Sequence, residues 1–118
     1  MKIIELTSKN EKEVIIIIIN WNGLIDTIEC LESIYKITYY HFKVILVDNN
    51  SIDDSLTEIK NNAHNKNIKL FSIKNINLGD SINNKLNMNY YDMFIIENDN
   101  NYGLSGANNI AINFALNH

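Results

Sequence analysis

Three short segments of this sequence carry the polar groups that could bind a ligand. They are Asn20-Trp21-Asn22-Gly23, Asp48-Asn49-Asn50-Ser51 and the stretch from Asn98 to Asn109. Their carboxylate, amide and aromatic groups would suit a neutral or anionic ligand with many hydrogen-bonding edges, such as a nucleotide base with its ribose. A helix start near Ser105-Gly106 would add free backbone N–H groups for a phosphate.

Each of these segments follows an apolar run that is typical of a buried β-strand. The first run, Val14 to Ile19, is apolar at every position, and the other two predicted strands, Lys43 to Val47 and Asp92 to Ile96, are apolar after a charged first residue. A run without polar interruption indicates a strand covered on both faces, as in a parallel α/β sheet. Such sheets bind ligands just beyond the carboxyl ends of their strands. We therefore predict that the three segments lie along one rim of a sheet.

A helical pattern follows each segment. The second helix is predicted to start at Ser51, which forms a capping-box-like pair with Asp54, and the last helix covers roughly residues 104–116. The predicted buried stripes are Leu24, Ile28, Leu31 and Tyr35, then Ile52, Leu56, Ile59 and Ala63, then Ala107, Ile110, Ala111, Phe114 and Ala115. Alternating strands and helices predict an α/β fold with a mainly parallel sheet between helices on both faces.

The chain is predicted to form one domain. Residues 1–12 are a leader, with a short extra strand through Ile3, Ile4 and Leu6 as one option. Residues 13–118 are the ligand-binding part, in which 64–90 form a variable insertion at the sheet edge, with a strand near 68–73 and a loop or short helix near 78–88. The expected order of the three main strands is third, second, first.

Each segment also has a simpler interpretation. Asn22-Gly23 is a common turn pair, Asp48 can hydrogen-bond its own turn, and Trp21 can cover the core. Their recurrence at the same end of three parallel strands favours binding. Neither G-x-G-x-x-G after the first strand nor G-x-x-x-x-G-K-[ST] occurs, which argues against dinucleotide-binding and phosphate-loop sites.

The composition limits the possible partners and location. The net charge of −4 argues against a nucleic-acid surface, which needs a basic face. The chain has no apolar stretch near the roughly 20 residues that cross a bilayer. A single cysteine, Cys30, fits a reducing compartment. The expected location is the cytoplasm, with peripheral membrane association of the full-length protein as an option.

Together the three segments resemble the nucleotide-binding half of family-two glycosyltransferases, which have the GT-A fold. That family opens with a hydrophobic strand and a P-T-Y-N-like tetrad, and Ile19-Asn20-Trp21-Asn22 is similar to the I-x-N-W-N-G form of the rhamnosyltransferase-like branch. Val47 to Asp53 resembles V-D-D/N-x-S-x-D, and Asn101 to Asn109 resembles N-x-G-x-x-x-A/G-x-N. The fold implied is the three-layer, Rossmann-like half of a GT-A domain.

The resemblance implies a role for each segment. Asn20 and its neighbours would line the base pocket, Asp48 and Asn49 would hold the base edge and ribose, and the segment from Gly103 would approach the sugar-phosphate portion. The implied nucleotide-binding residues are Asn20, Trp21, Asn22, Asp48, Asn49, Asn50, Asn101, Gly103, Gly106, Asn108 and Asn109. The implied ligand is a UDP-, dTDP- or GDP-linked sugar, transferred to a hydroxyl acceptor in cell-surface polysaccharide or glycan synthesis.

The resemblance also implies parts that this sequence lacks. In the family, a later strand ends in a D-x-D motif that binds Mn²⁺ or Mg²⁺, and a catalytic base follows. The similar triplet Glu97-Asn98-Asp99 precedes the third block, where the family has no metal site. We therefore expect no catalytic or metal-binding residue here and no cofactor bound by this chain alone. Mn²⁺ or Mg²⁺ is expected only for the full-length enzyme.

The sequence therefore predicts a fold truncated before the metal-binding strand, in a chain that is inactive alone. The alternative is a non-catalytic nucleotide-binding or interaction module completed by a partner chain. In such a fragment Val14–Ile19 would be an exposed edge strand. An apolar, unpaired edge invites pairing with another chain, so self-association is expected through this strand or the last helix.

Overall fold

The computed structural model describes residues 2–7, 12–37, 41–79 and 87–117. Within these ranges the chain forms one five-stranded sheet and three α-helices. The strands are β1 (Lys2–Thr7), β2 (Lys12–Asn20), β3 (Phe42–Asp48), β4 (Leu70–Lys74) and β5 (Met93–Glu97), and the helices are α1 (Leu24–Tyr35), α2 (Ser55–Asn65) and α3 (Gly103–Asn117). Short 3₁₀ turns cover Asn75–Asn77 and Met88–Tyr90.

The sheet has the strand order β1-β2-β3-β5-β4. Four strands, β2, β3, β5 and β4, run parallel, whereas β1 pairs with β2 in the antiparallel direction. The predicted α/β fold with the order third, second, first is confirmed, and it is consistent with the Rossmann-like half of a GT-A domain. Central strands β2 and β3 are buried on both faces, which explains their uninterrupted apolar sequences.

Helices cover both faces of the sheet and make two apolar cores. On one face α1 and α2 bury Leu31, Ile34, Ile59 and Ala63 against β2, β3 and β5. On the other face α3 packs through Ala107, Ala111, Phe114 and Ala115. Because three of these four α3 residues are alanines, the helix axis can come close to the strands. The three-layer architecture therefore follows from one apolar stripe on each helix.

The prediction that Val14–Ile19 forms an exposed edge is wrong. Strand β1 pairs along this segment, from Lys2 opposite Ile17 to Thr7 opposite Lys12. Its backbone groups satisfy the side of β2 that the sequence interpretation left open, so β2 is an interior strand. Self-association through the last helix stays a prediction.

The predicted start of α2 is also wrong. The helix begins at Ser55, four residues after the predicted Ser51 cap, and Ile52 is 90% exposed instead of buried. Asp54 is the N-cap residue without a side-chain cap, while Asp53 Oδ1 accepts the Ser55 N–H at 3.0 Å. The remainder of the predicted stripe, Leu56, Ile59 and Ala63, does pack towards the core. Ser51 is instead part of the polar rim described below.

The predicted insertion contains the outermost parallel strand. Strand β4 lies at the edge of the sheet and pairs with β5 from Leu70 opposite Met93 to Lys74 opposite Glu97. Of the loop or helix predicted near 78–88, residues 80–86 lie outside the described residues. Among the described residues, no helix is both long and apolar enough to cross a membrane.

Stability at high pH is expected to depend on Tyr35. Burial raises the pKa of Tyr35 to about 12, and its hydroxyl has no hydrogen-bond partner among the described residues. In the unfolded chain the phenol ionises at about pH 10. Folding thus favours the neutral phenol. The contribution of Tyr35 to the free energy of unfolding is therefore complete below pH ~10 and is lost as the pH rises towards ~12.

Urea unfolding between pH 9 and 12 measures this effect. Tyr35→Phe should remove the loss of stability between pH ~10 and ~12 that is assigned to the phenol. At pH 7 its free energy of unfolding should equal or slightly exceed that of the wild type, because an unpartnered buried hydroxyl is deleted. Tyr90→Phe is the matched control, since Tyr90 is exposed. The assignment fails if both variants show the same pH dependence.

Candidate nucleotide-binding rim

The carboxyl ends of the three central strands lie side by side. In the parallel register Asn20 is opposite Asp48, and Asp48 is opposite Glu97. The ladder continues one residue further, with Asn49 N–H donating to Asn20 O at 2.8 Å and Asn98 N–H donating to Asp48 O at 2.9 Å. The segments that follow β2, β3 and β5 therefore begin at one rim of the sheet.

Asn20 is the centre of the first network at this rim, and its side chain is 1% exposed. The amide nitrogen donates to Asp48 Oδ1 at 2.8 Å and to Ser55 Oγ at 2.9 Å. A longer contact of 3.1 Å joins the same nitrogen to Ser51 Oγ. The amide oxygen accepts the Thr27 hydroxyl at 2.7 Å. Asn20 therefore connects the end of β2 to the segment after β3 and to the first turns of α1 and α2.

Asp48 and Asn22 shape the segment between β3 and α2. The buried Asp48 carboxylate accepts the Ser51 N–H at 3.0 Å and the Ser51 hydroxyl at 2.7 Å. Ser51 Oγ in turn accepts the Asn22 N–H at 2.9 Å. Asn22 Oδ1 then accepts the N–H groups of Ile52 and Asp53, at 2.8 and 3.2 Å. The first two segments are thus held together by direct hydrogen bonds.

Asn49 connects this pair to the third segment, and it is 3% exposed. Its side-chain oxygen accepts from Asn98 Nδ2 at 3.1 Å and from the Tyr102 N–H at 3.0 Å. Its nitrogen donates to Asn101 Oδ1 at 3.0 Å and to Gly103 O at 3.2 Å. All four bonds are directed at the loop that leads into α3.

The acidic triplet Glu97-Asn98-Asp99 at the end of β5 has its carboxylates engaged in hydrogen bonds. Glu97 accepts from Ser72 at 2.6 Å and from Lys60 at 3.1 Å, while Asp99 accepts the Tyr102 hydroxyl at 2.6 Å. Burial would raise the pKa of Glu97, but these hydrogen bonds and the charges of Lys60 and Lys74 lower it overall. Within the described ranges, no three His, Cys, Asp or Glu side chains group to hold a metal ion. The residues described here therefore do not fit the Mn²⁺ or Mg²⁺ of the resemblance.

The exposed surface of the rim is made by a different set of side chains. Trp21 is 57% exposed, and Asn50, Asn101 and Tyr102 are also exposed. Asn50 has a φ of +66°, a conformation that asparagine tolerates better than most residues. The bond to Asp99 raises the pKa of Tyr102, because ionisation would place two negative charges together. A ring, two amides and a phenol are therefore exposed on the three segments of the rim.

The remaining predicted residues lie on the first turns of α3. Gly103 has a φ of +74°, which favours glycine at the helix start. A Cβ atom at Gly106 would lie 3.0 Å from Tyr102 Cβ, so this glycine allows the loop to approach the helix. Asn108 is half-buried and Asn109 is exposed, one and two residues after the buried Ala107. Among the described residues, neither the Asn108 nor the Asn109 side chain makes a hydrogen bond to the segments that follow β2 and β3.

Several residues of the rim were missed by the sequence interpretation. Thr27 and Ser55 bond Asn20, and Asn75 donates to Asn98 Oδ1 at 2.9 Å. Asn98 itself is the first residue of the third predicted segment, although it is not among the implied nucleotide-binding residues, and it directly follows β5 as Asn49 follows β3. Thr27 and Ser55 lie within helices, where a lone hydroxyl residue gives no indication of a partner many residues away.

The arrangement can bind a polar ligand without losing its own hydrogen bonds. The buried amides and the Asp48 carboxylate are already used in fixing the three segments, so they cannot turn outwards cheaply. The exposed ring of Trp21 can stack on a flat ligand, and the exposed amides can meet hydrogen-bonding edges beside it. This combination suits a base or nucleoside better than a purely ionic ligand.

Comparison with known proteins identifies the family. The family model described as glycosyl transferase family 2 matches residues 15–88, which include the first two rim segments and more than half of the chain. No curated protein and no solved structure matches the chain significantly. With the parallel sheet and the rim at its carboxyl edge, this match shows that the chain belongs to glycosyl transferase family 2.

Proposed function

We propose that the rim binds the nucleoside diphosphate portion of a sugar nucleotide that serves as donor in glycosyl transfer. The donor would be UDP-, dTDP- or GDP-linked, and the acceptor a hydroxyl group in the synthesis of a cell-surface polysaccharide or glycan. The observation that carries the proposal is that the segments after β2, β3 and β5 join in one polar rim with Trp21 exposed on it. Family membership supports the same ligand class.

Trp21 is the residue proposed to hold the base. It is the only tryptophan of the chain, and its ring is 57% exposed although burial of so large an apolar group would be favourable. Stacking of a base on an aromatic ring contributes about 1–3 kcal/mol and works for any base. Trp21 would therefore contribute affinity, while neighbouring amides of Asn50 and Asn101 select the edge of the base or the ribose.

Asn20, Asp48 and Asn49 have an indirect role in this proposal. Their side chains are turned inwards, and together they fix the positions of the three segments. We assign to them the positioning of the loops that carry Trp21, Asn50 and Asn101, rather than direct contact with the base. A variant such as Asp48→Ala would therefore test the fold of the rim as much as its affinity.

The proposal for these 118 residues is limited to binding and orienting the donor. The described residues do not fit the divalent cation of the family, so no step that depends on a metal is assigned to them. The tetrad Ile19-Asn20-Trp21-Asn22 at the end of β2 extends the proposal to the rhamnosyltransferase-like branch. The proposed location is the cytoplasm, as the composition and the single cysteine suggest. A non-catalytic nucleotide-binding module is the second candidate, because the exposed groups of the rim are suited to binding.

Trp21→Ala should weaken nucleotide binding by about tenfold, the loss expected for one stacked base. Isothermal titration with UDP, dTDP and GDP, each with and without Mn²⁺, measures it. We expect one nucleotide to bind preferentially and its affinity to be independent of Mn²⁺. Ile52→Ala is the control, because Ile52 is an exposed apolar residue of the neighbouring segment.

Two results would contradict the proposal. One is the absence of binding to all three nucleotides by the folded wild-type chain. The other is equal affinity of the wild type and Trp21→Ala. A nucleotide that binds without sugar transfer would favour the non-catalytic module over the enzyme.

A further inference from the structure

The side-chain amides around the third segment have orientations that the backbone fixes. A backbone N–H can only donate and a carbonyl can only accept, so each such partner shows which end of an amide faces it. The Tyr102 N–H donates to Asn49 Oδ1 at 3.0 Å, and Gly103 O accepts from Asn49 Nδ2 at 3.2 Å. Asn49 therefore has its oxygen towards Tyr102 and its nitrogen towards Gly103.

The same reasoning fixes Asn101. The Gly103 N–H donates to Asn101 Oδ1 at 2.8 Å, and Asn49 Nδ2 donates to the same oxygen at 3.0 Å. Both bonds need the oxygen of Asn101 to point into the rim. Turning this amide around would set its NH₂ group against two donors and would lose both bonds.

Two further amides continue the arrangement to the edge of the sheet. Because Asn49 presents oxygen on this side, Asn98 must present nitrogen, and it donates at 3.1 Å. Asn98 then has its oxygen free for Asn75, whose nitrogen donates at 2.9 Å. Asn75, Asn98, Asn49 and Asn101 thus form a chain of amides, here called the amide chain, in which each donates to the next. Asn49 and Asn98 are 3% and 5% exposed, so water competes little for these bonds.

We infer that Asn101 presents its NH₂ group to the ligand, and that the ligand atom it meets is a hydrogen-bond acceptor. The amide chain ends at Asn101, whose oxygen is used inside the rim, and none of its described hydrogen bonds uses the nitrogen. Asn101 is exposed on the same rim as Trp21. On the proposed nucleotide-binding function, on which this inference rests, the acceptor is a carbonyl of the base or an oxygen of the diphosphate.

The orientation can be tested without any ligand. Asn101→Asp keeps an oxygen towards Gly103 and Asn49, so the urea midpoint of unfolding should change by less than about 0.3 M. Asn49→Asp places an oxygen against Gly103 O and Asn101 Oδ1, so the midpoint should fall by about 1 M or more. The orientation is overturned if Asn101→Asp is as destabilising as Asn49→Asp.

The ligand contact is tested by titration with UDP, dTDP and GDP and with the corresponding nucleosides. Asn101→Asp replaces the outward donor by an acceptor and should weaken binding by more than about tenfold, the loss expected when a buried polar group faces a wrong partner. Asn100→Asp is the matched control, because it adds the same charge one residue away. Its Oδ1 already accepts the Asn101 N–H, so its fold should also be kept.

The outcomes separate this inference from the function on which it rests. A loss confined to Asn101→Asp supports the donor role. If affinity for the nucleoside also falls, the acceptor is on the nucleoside; if only affinity for the nucleoside diphosphate falls, the acceptor is on the phosphates. Equal losses in Asn101→Asp and Asn100→Asp overturn it in favour of simple charge repulsion. If no nucleotide binds to the wild type, the proposed function and the ligand contact both fail, while the unfolding midpoints still decide the orientation of Asn101.

Discussion

Asn20→Ala is expected to lower the free energy of unfolding by about 3 kcal/mol, because it removes a hydrogen-bond partner from each of several buried polar groups. The Thr27 hydroxyl loses the oxygen that accepts it at 2.7 Å. Asp48 and the hydroxyl of Ser55 lose the donor that lies 2.8 and 2.9 Å away. A buried group left without any partner costs about 1–3 kcal/mol. Asp48 and Ser55 keep their bonds with Ser51 and Asp53, so the total stays below the simple sum.

Urea unfolding monitored by circular dichroism measures this loss. Asn109→Ala is the matched control, since Asn109 is an exposed asparagine of α3, and its replacement should change the stability by less than about 0.5 kcal/mol. A loss below about 1 kcal/mol for Asn20→Ala would show that the network can close around the missing amide, contrary to this expectation.

The sequence was sufficient to predict where the rim lies. The apolar runs of β2, β3 and β5 are those of strands buried on both faces, and parallel strands bring their carboxyl ends together. The three helices follow from their apolar stripes. These features depend on local patterns of residue type, which one sequence contains in full.

The direction of the rim side chains could not be predicted in the same way. Asparagine both donates and accepts, so its presence at a strand end is equally compatible with a ligand and with another loop. Asn20 and its partner Ser55 are 35 residues apart in the sequence, and Asn49 and its partner Asn101 are 52 residues apart. Only the folded chain shows that these amides are satisfied internally.

The two errors in the fold have similar causes. Ser51 and Asp54 have the spacing of a capping box, but the Ser51 hydroxyl is held by Asp48, and α2 starts later. A short strand through Ile3, Ile4 and Leu6 was an option, and β1 includes these residues, but its antiparallel pairing with β2 was not predicted. At α2 a tertiary contact overrides a local signal, and at β1 a tertiary pairing is formed that no local signal specifies.

Phe94→Ala is expected to cost about 4 kcal/mol of stability, the typical loss for a phenylalanine removed from a packed core. Phe94 is the second residue of β5, is fully buried, and has the Phe114 ring of α3 at 5.5 Å between centroids. The rings of Tyr91 and Phe71 lie at 5.8 and 6.4 Å. The alanine variant would leave a cavity beneath α3, and α3 begins at Gly103, directly after the rim loop that Asn49 holds.

This loss should be measured by thermal and urea unfolding, with Tyr90→Ala as the control. Tyr90 also contacts Tyr91, at 5.0 Å, but it is exposed, so its removal should cost less than about 1 kcal/mol. Phe94→Leu refills most of the volume and should recover more than half of the loss. Because a domain of this size is stable by only about 5–15 kcal/mol, Phe94→Ala should also populate unfolded chains near its reduced midpoint. Equal destabilisation by Phe94→Ala and Tyr90→Ala would contradict the view that this aromatic core fixes α3, and with it the rim, to the sheet.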